Sequence, residues 1–169
     1  ELTRMLPIDD PVNIEYEHFK EQFGQDGSVI LVAIQDPDLY KLEHFNDWYD
    51  LCNKVDENPG VEAVLSVSKI YNLKKNDSLK KFDFTKIVGT RPKTQQEVDS
   101  IQKIIYSLPL YDGLLFNKET NVSLMMITLD KEILNSKKRI PLIYELTEEI
   151  NQFGEKYNID VKYSGLPYI

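Results

Sequence analysis

The segment that decides the fold is Ser28-Val29-Ile30-Leu31-Val32-Ala33-Ile34-Gln35, a short and almost uninterrupted apolar run. Gly27 precedes the run and Asp36-Pro37-Asp38 follows it, so residues typical of turns bound it on both sides. The run is far shorter than the roughly 20 apolar residues that span a bilayer. These features predict a central β-strand that is covered on both faces. Such a strand needs neighbouring strands and covering helices, and the rest of the sequence supplies candidates for both.

The composition is that of one globular domain. A length of 169 residues allows a sizeable core, and 41% hydrophobic with 28% charged residues is ordinary for a folded protein. The net charge of −8 argues against a nucleic-acid-binding surface, because such a surface carries an excess of Lys and Arg. Cys52 is the only cysteine, which excludes an internal disulfide and a cysteine framework for zinc. We therefore predict a globular domain with no nucleic-acid partner and no cofactor.

A helix and a second strand are predicted after the central strand. Apolar residues recur at spacings of three and four, which predicts an amphipathic helix over about 39–58 that Pro59-Gly60 ends. Alternating apolar residues then predict a strand over 61–71. A strand–helix–strand unit of this length favours a right-handed crossover to a parallel partner strand. The expected buried face of the helix comprises Leu42, Phe45, Trp48 or Tyr49, Cys52 and Val55.

Residues 72–92 lose this periodicity. The segment is rich in Lys, Asp, Asn and Ser, and long irregular segments inside a compact domain are usually functional or mobile. We predict an irregular linker over about 72–92. After the linker, Thr94 and Glu97 have the spacing of a capping box and predict the start of an amphipathic helix that Pro109 ends.

The last part of the chain repeats the strand and helix patterns. Strand-like runs at 114–116 and 122–129 are separated by a polar segment, which predicts a hairpin with a loop. A helix is predicted from about Ser136, with Pro141 in its first turn, followed by a final strand at 159–164. The expected buried face of this helix comprises Ile143, Leu146, Ile150, Phe153 and Tyr157.

The order of these elements predicts an α+β fold. The order is strand, helix, strand, a linker with one extra helix, strand, helix, strand, which is the split βαβ, ferredoxin-like pattern. The extra helix and the long linker then lie between the two βαβ halves. Residues 25–169 are predicted to form this single domain, and residues 1–24 a lead-in segment with a short helix at 13–23.

Few residues have the pattern of a catalytic or metal site. His18 and His44 have no partner His or Cys at i+3 or i+4, so we expect surface or boundary positions for both. Asp36 and Asp38 have a spacing found in calcium loops, but the glycine and distal glutamate of such loops are missing. We expect instead a turn in which Asp38 caps the next helix. Cys52 is expected to be a core thiol. We predict no catalytic and no metal-binding residue.

Two features in and around the predicted linker are candidates for binding. Phe82 and Phe84 stand in otherwise polar sequence, and they either anchor the segment to the domain body or line a path for an amphiphilic substrate. A local run of lysines is either solvated or a contact for anionic lipid headgroups or an anionic cargo. These lysines occupy positions 69, 74, 75, 80, 81 and 86.

Several short motifs together resemble one membrane-protein family. They are Phe23-Gly24-Gln25-Asp26-Gly27, Asn58-Pro59-Gly60-Val61-Glu62-Ala63-Val64-Leu65-Ser66, Tyr111-Asp112-Gly113-Leu114-Leu115 and Gly165-Leu166-Pro167. With these motifs, spread over nearly the whole chain, the sequence resembles the extracytoplasmic porter domain of RND-superfamily exporters. The branch it resembles includes the predicted exporters and the large mycobacterial-type (MMPL) membrane proteins. The lead-in Leu6-Pro7-Ile8-Asp9-Asp10-Pro11 looks like the exit from a first membrane helix, so the domain would be the first porter loop.

The resemblance implies a transport function without catalysis. In that family a ferredoxin-like domain is inserted between the first two membrane helices, and proton flow through the membrane part drives export. The domain would lie on the periplasmic side of a bacterial inner membrane, as a loop of an integral membrane protein. Its partners would be a second porter domain and the transmembrane helices of the same parent chain, which could form an oligomer, and a hydrophobic or amphiphilic substrate. This sequence has neither the membrane helices nor their acidic residues, so no residue is assigned to energy coupling.

Two other functions are compatible with a ferredoxin-like fold. The first is a soluble ligand-binding or regulatory domain, which predicts a catalytic or DNA-binding neighbour and tight binding of a polar small molecule. The second is a small acylphosphatase-type hydrolase, which is disfavoured because no arginine-plus-asparagine anion site stands out. Apolar spans of roughly 20 residues directly outside both ends of the chain would favour the exporter over both.

Overall fold

The computed structural model describes residues 27–76, 81–165 and 167–168, and for residues 73–76 and 81–84 it describes the backbone alone. The predicted lead-in, the predicted helix at 13–23 and His18 lie outside the described residues. Seven strands and four helices make up the part of the chain that is described.

β1 (Val29–Gln35) is the central strand, as its apolar run predicts. It lies between β6 (Val122–Leu129) and β7 (Val161–Ser164) and is antiparallel to both. Its side chains alternate between buried and partly exposed, because consecutive residues of a strand point to opposite faces. The prediction that both faces are covered is therefore wrong, since the run buries one face fully and the other only in part.

The sheet has the strand order of the split βαβ fold. β2 (Val61–Ser66) pairs antiparallel with β6, which gives the order β2-β6-β1-β7. β1 and β2 are thus parallel but not neighbours, because β6 lies between them. The short β5 (Phe116–Asn117) also pairs with β6, which confirms the predicted hairpin. The predicted ferredoxin-like α+β architecture is confirmed, and β2 is the parallel strand predicted to follow the helix after β1.

Two long helices pack on the buried face of the sheet. α1 (Leu42–Asp56) follows β1, and α4 (Arg139–Tyr157) follows the short helix α3 (Lys131–Leu134). The predicted buried face of α1 is confirmed in most positions, with Trp48 fully buried and Tyr49 only partly. The core between sheet and helices includes Ile30, Ile34, Trp48, Met125, Ile127 and Leu146.

The segment 72–92 contains a hairpin where the sequence predicts an irregular linker. β3 (Tyr71–Asn76) and β4 (Lys81–Lys86) pair antiparallel, with Tyr71 opposite Lys86. The strand predicted over 61–71 ends earlier, at Ser66, where the chain turns and the Lys69 N–H donates to the Ser66 carbonyl at 2.7 Å. The polar composition conceals the hairpin, because a strand is recognised in sequence by apolar alternation.

The extra helix α2 (Gln95–Tyr106) begins at the predicted cap. Thr94 Oγ1 accepts a hydrogen bond from the Glu97 N–H at 3.3 Å, and the Glu97 carboxylate accepts one from the Lys93 N–H at 2.6 Å. The second bond is displaced by one residue, since the usual capping box returns to the N–H of the cap itself. Val98 of α2 packs with Phe45 of α1, so the inserted helix is attached to the domain by a small apolar cluster.

Helix α4 begins at Arg139 rather than at Ser136, with Pro141 in its first turn as predicted. Leu146, Ile150 and Phe153 are buried as expected. Ile143 and Tyr157, also expected in the core, are only partly buried, and Leu142 is buried as well.

Candidate functional site

A groove of 470 Å³ runs along the outer edge of β2. β2 is an edge strand, since β6 is the only described strand that pairs with it. α1 supplies one wall of the groove and the base of the β3–β4 hairpin supplies the other. Its lining includes Tyr49, Asp56, Leu65, Lys69, Lys86 and Met126.

The floor of the groove is apolar and belongs to the sheet. Leu65 of β2 lies opposite Met126 of β6. Both side chains point away from the helices, because the residues on either side of each in its own strand are buried: Val64 and Ser66 in β2, and Met125 and Ile127 in β6. Leu65 and Met126 are only partly buried themselves. An apolar group that enters the groove therefore removes exposed apolar surface from water, which is favourable.

Charged side chains surround this floor. Lys69 donates a hydrogen bond to Asp56, and this ion pair joins the end of α1 to the turn after β2. Glu62 is exposed at a β-bulge in β2, and Lys86 is exposed at the end of β4. A bulge disfavours the addition of a further strand to a sheet edge. The groove therefore suits a compact amphiphilic group better than an added strand.

A tightly packed layer lies beneath the groove. Trp48 Nε1 donates to Ser66 Oγ at 2.8 Å, which links α1 to β2 in the core. Cys52 is fully buried beside Ser66, which confirms the predicted core thiol. Burial raises the pKa of the Cys52 thiol to about 11, so the thiol is protonated at neutral pH. These groups hold the groove wall in place and provide no nucleophile.

The face of the sheet that points away from α1 and α4 continues the apolar floor. Leu31 of β1 lies opposite Met126, and Ala33 lies opposite Leu124. These four residues and Val29 are all partly exposed. We call these five residues the open sheet face. It provides an apolar surface of sheet next to the groove, in contrast to the buried face under the helices.

Phe82 and Phe84, the predicted substrate-path residues, lie on β4. The Cα atom of Phe82 lies opposite that of Lys75, and the Cα atom of Phe84 lies opposite that of Leu73. The side chains of all four residues are outside the part of the chain that is described. The same strand ends at Lys86, which lines the groove. A role for Phe82 and Phe84 therefore stays a prediction, and the groove residues of α1 and β2 are the ones that the sequence did not single out.

A polar cluster lies at the other side of α1, around Asp36. Asp36 is buried; its carboxylate accepts from the Asp38 N–H at 2.8 Å and lies 3.0 Å from His44 Nδ1. Asp38 does not cap α1, since Lys41 is the cap residue and makes no side-chain cap. The predicted turn is present, but the predicted cap is wrong, since the Asp36 carboxylate, two residues earlier, accepts the hydrogen bond within this turn. The His44 ring packs on Tyr157 with centroids 3.7 Å apart, which is the boundary position expected for His44.

Tyr157 extends this cluster to the end of α4. Its hydroxyl donates to Asp47 Oδ2 at 2.6 Å, and Lys156 Nζ donates to the same oxygen at 2.5 Å. Burial opposes ionisation of Asp47, but these two hydrogen bonds and the charge of Lys156 outweigh it and hold the Asp47 pKa below its usual range. Burial and the bond to Asp47 raise the pKa of Tyr157 to about 12. The cluster thus cross-links α1 and α4 as a structural element.

The described residues contain neither a grouped metal site nor a helix that could span a membrane. No three or more His, Cys, Asp or Glu side chains there are grouped as a metal site. None of the described helices has the length and hydropathy needed to cross a membrane.

No profile of a known protein family matches the chain, and no curated protein matches it.

Proposed function

We propose that this chain is a non-catalytic extracytoplasmic porter domain of a proton-driven RND-type inner-membrane exporter. The observation that carries the proposal is the open sheet face, which is apolar, partly exposed and continuous through Met126 with the groove at the edge of β2. A domain that contacts neighbours and a hydrophobic cargo needs such a surface outside its own core. The split βαβ topology and the motifs that resemble porter domains support the same function.

In this proposal the domain works by changes in packing. A neighbouring porter domain would cover part of the open sheet face, and its movement would open or close the groove to substrate. The driving force would come from the membrane part of the parent protein, which acts on the domain by alternating access. The domain itself then needs a stable fold and an adaptable apolar surface, and it needs no reacting group.

The groove favours an amphiphilic substrate. Leu65 and Met126 provide an apolar floor, while Glu62, Lys86 and the Lys69–Asp56 pair provide charges at the rim. An amphiphile can bury its apolar part on the floor and keep its polar part at the rim, in water. The same groove is the specific feature that favours the second candidate, a soluble ligand-binding or regulatory domain.

The experiment that tests the proposal is the determination of the parent reading frame on both sides of Glu1 and Ile169. Apolar spans of roughly 20 residues on both sides are expected for an exporter loop. A start codon and a stop codon at these positions, or soluble domains on both sides, would overturn the exporter. The isolated chain would then be screened for polar small-molecule ligands, as expected for a regulatory domain.

A further inference from the structure

The first two turns of α4 and the end of the chain form a second exposed surface, remote in sequence from the β2 groove. Tyr144 is 73% exposed, Ile140 56% and Tyr168 43%. Large apolar side chains with such exposure are unusual when several adjoin one another. We call this the Tyr144 surface, and it is formed by Arg139, Ile140, Ile143, Tyr144 and Tyr168 around a hollow of 470 Å³.

The aromatic part of this surface is held in place by the sheet. Tyr168 stacks on Tyr163 of β7 with ring centroids 5.0 Å apart and planes inclined by 16°. The Tyr163 hydroxyl donates to Asn151 Oδ1 of α4 at 2.8 Å. Tyr168 is therefore fixed next to α4 although it stands near the end of the chain. The surface is formed in advance, so binding to it costs little ordering of side chains.

Three cations adjoin the apolar side chains. Lys137 and Lys138 are exposed, and Arg139 lines the hollow itself. Within the described residues none of the three forms an ion pair, and the first turn of α4 contains no acidic residue. This concentration of positive charge is unexpected in a chain whose net charge is −8. It gives one small part of the molecule a sign opposite to that of the whole.

We propose that the Tyr144 surface is a contact for an anionic lipid bilayer. Tyrosine and aliphatic side chains flanked by Lys and Arg are the combination that binds the interface between headgroups and acyl chains. Repulsion between the bilayer and acidic residues that lie more than about 10 Å from it is screened at 0.1 M salt. Binding to an anionic bilayer requires cations next to apolar groups, because headgroups and acyl chains are adjacent there. Binding to a protein partner does not require this arrangement.

This inference deepens the proposed function and rests on it for the identity of the membrane, because it names the side of the domain that faces the lipid. Its chemistry rests on the Tyr144 surface alone. The two proposals can therefore fail separately. If apolar spans flank the chain but it does not bind vesicles, the lipid contact is wrong and the exporter proposal stands. If the chain binds vesicles but no apolar spans flank it, the exporter proposal is wrong and the lipid contact stands.

The test is sedimentation of the chain with vesicles of phosphatidylcholine alone and of phosphatidylcholine mixed with phosphatidylglycerol. We expect binding to the mixed vesicles, and weaker binding as salt is raised. The double variant Lys137→Gln/Lys138→Gln should lower the partition coefficient about tenfold or more, since each cation near an anionic surface contributes roughly fivefold. The matched control Lys93→Gln/Lys103→Gln removes the same charge from exposed positions elsewhere and should bind as the parent does.

A second pair of variants tests the apolar part. Ile140→Ser should weaken binding, while Leu110→Ser, at a residue that is 60% exposed elsewhere, should not. Circular dichroism of each variant checks that the fold is retained. No binding to mixed vesicles at low salt, or an equal loss in the two control variants, would overturn the proposal. Self-association that Ile140→Ser abolishes would instead assign the surface to a second copy of the chain.

Discussion

Trp48 of α1 and Ser66 of β2 are joined by a buried hydrogen bond of 2.8 Å from the indole Nε1 to the serine Oγ. Both residues are completely buried. The bond fixes the register of the helix against the edge strand whose other side forms the groove. It also satisfies the only polar atom of a large core side chain.

Ser66→Ala should destabilise the domain by about 1–3 kcal/mol, because it leaves the indole N–H buried without an acceptor. Urea unfolding followed by far-ultraviolet circular dichroism measures the effect, since Trp48 is the only tryptophan and its replacement removes the tryptophan fluorescence signal. The double variant Trp48→Phe/Ser66→Ala removes both partners and should show a favourable coupling between the two sites. Additive effects of the two single changes would contradict the bond.

Tyr157→Phe should destabilise the domain by about 0.5–1.5 kcal/mol, because it removes the hydrogen bond to Asp47 and keeps the ring that packs on His44. The control Tyr144→Phe removes a hydroxyl that is exposed on the same helix and should change the stability by less than about 0.5 kcal/mol. Equal effects of the two changes would show that the Asp47 bond contributes nothing.

The same cluster predicts the pH dependence of stability. The Asp47 pKa is lower in the folded chain, so its contribution is present above the ordinary carboxyl pKa of 3.8 and is lost as pH falls below it. Tyr157 has a raised pKa of about 12, so its contribution is present below the ordinary value of 10.0 and is lost as pH rises through 12. Denaturant unfolding of the parent and of Asp47→Asn should differ by a constant amount near neutral pH and converge below pH 3.8. A difference that persists in acid would exclude the ionised form as its cause.

Gly165→Ala should destabilise the domain by about 2 kcal/mol or more, because Gly165 has a φ of +119° and a Cβ there would overlap the carbonyl oxygen of Val29. This close approach brings the end of β7 against the start of β1. The control Gly89→Ala meets no atom within 4 Å and should be neutral or slightly stabilising. Thermal unfolding distinguishes the two, and an unchanged midpoint for Gly165→Ala would show that the contact is not kept in solution.

The apolar run at 28–35 was sufficient to predict the central strand, and helical spacing located α1 and α4, since strong periodicity directly reports burial. The hairpin β3–β4 was missed because Asn72, Lys74 and Lys86 give no apolar alternation, and its pairing comes from backbone bonds that any side chain permits. The parallel relation of β1 and β2 was predicted from the strand–helix–strand unit and is confirmed. The position of β6 between them follows from the split βαβ order of the elements along the chain, and local sequence alone does not encode it.

The groove was not predictable from sequence for a different reason. Its floor residues Leu65 and Met126 belong to strands that are far apart in the chain and become neighbours only through the order β2-β6. The sequence spacing of Asp56 and Lys69 does not predict their ion pair, because the two side chains meet only when the turn after β2 brings Lys69 back to the end of α1. One feature of the sequence could have indicated the floor of the groove: consecutive residues of β2 point to opposite faces, so Leu65 lies on the face opposite the buried Val64.

Lys138→Glu should raise the stability of the domain by about 0.3–1 kcal/mol, because it replaces a cation by an anion at the positive end of the α4 dipole. The same change should weaken binding to anionic vesicles, so stability and binding would move in opposite directions. Thermal unfolding and vesicle sedimentation on one preparation measure both. Reduced binding together with reduced stability would indicate damage to the fold and would not support the lipid contact.

Leu65→Gln should weaken binding of a fluorescent amphiphile to the chain roughly tenfold, because the apolar floor of the groove loses a side chain that a ligand would cover. Leu65 is partly exposed, so the polar replacement can be solvated in the free protein and the fold should persist. Leu110→Gln is the matched control, since it removes an exposed leucine outside the groove. Fluorescence titration gives both affinities. Equal losses would show that the amphiphile binds exposed apolar surface in general, whereas no binding together with tight binding of a polar ligand would favour the regulatory domain over the exporter.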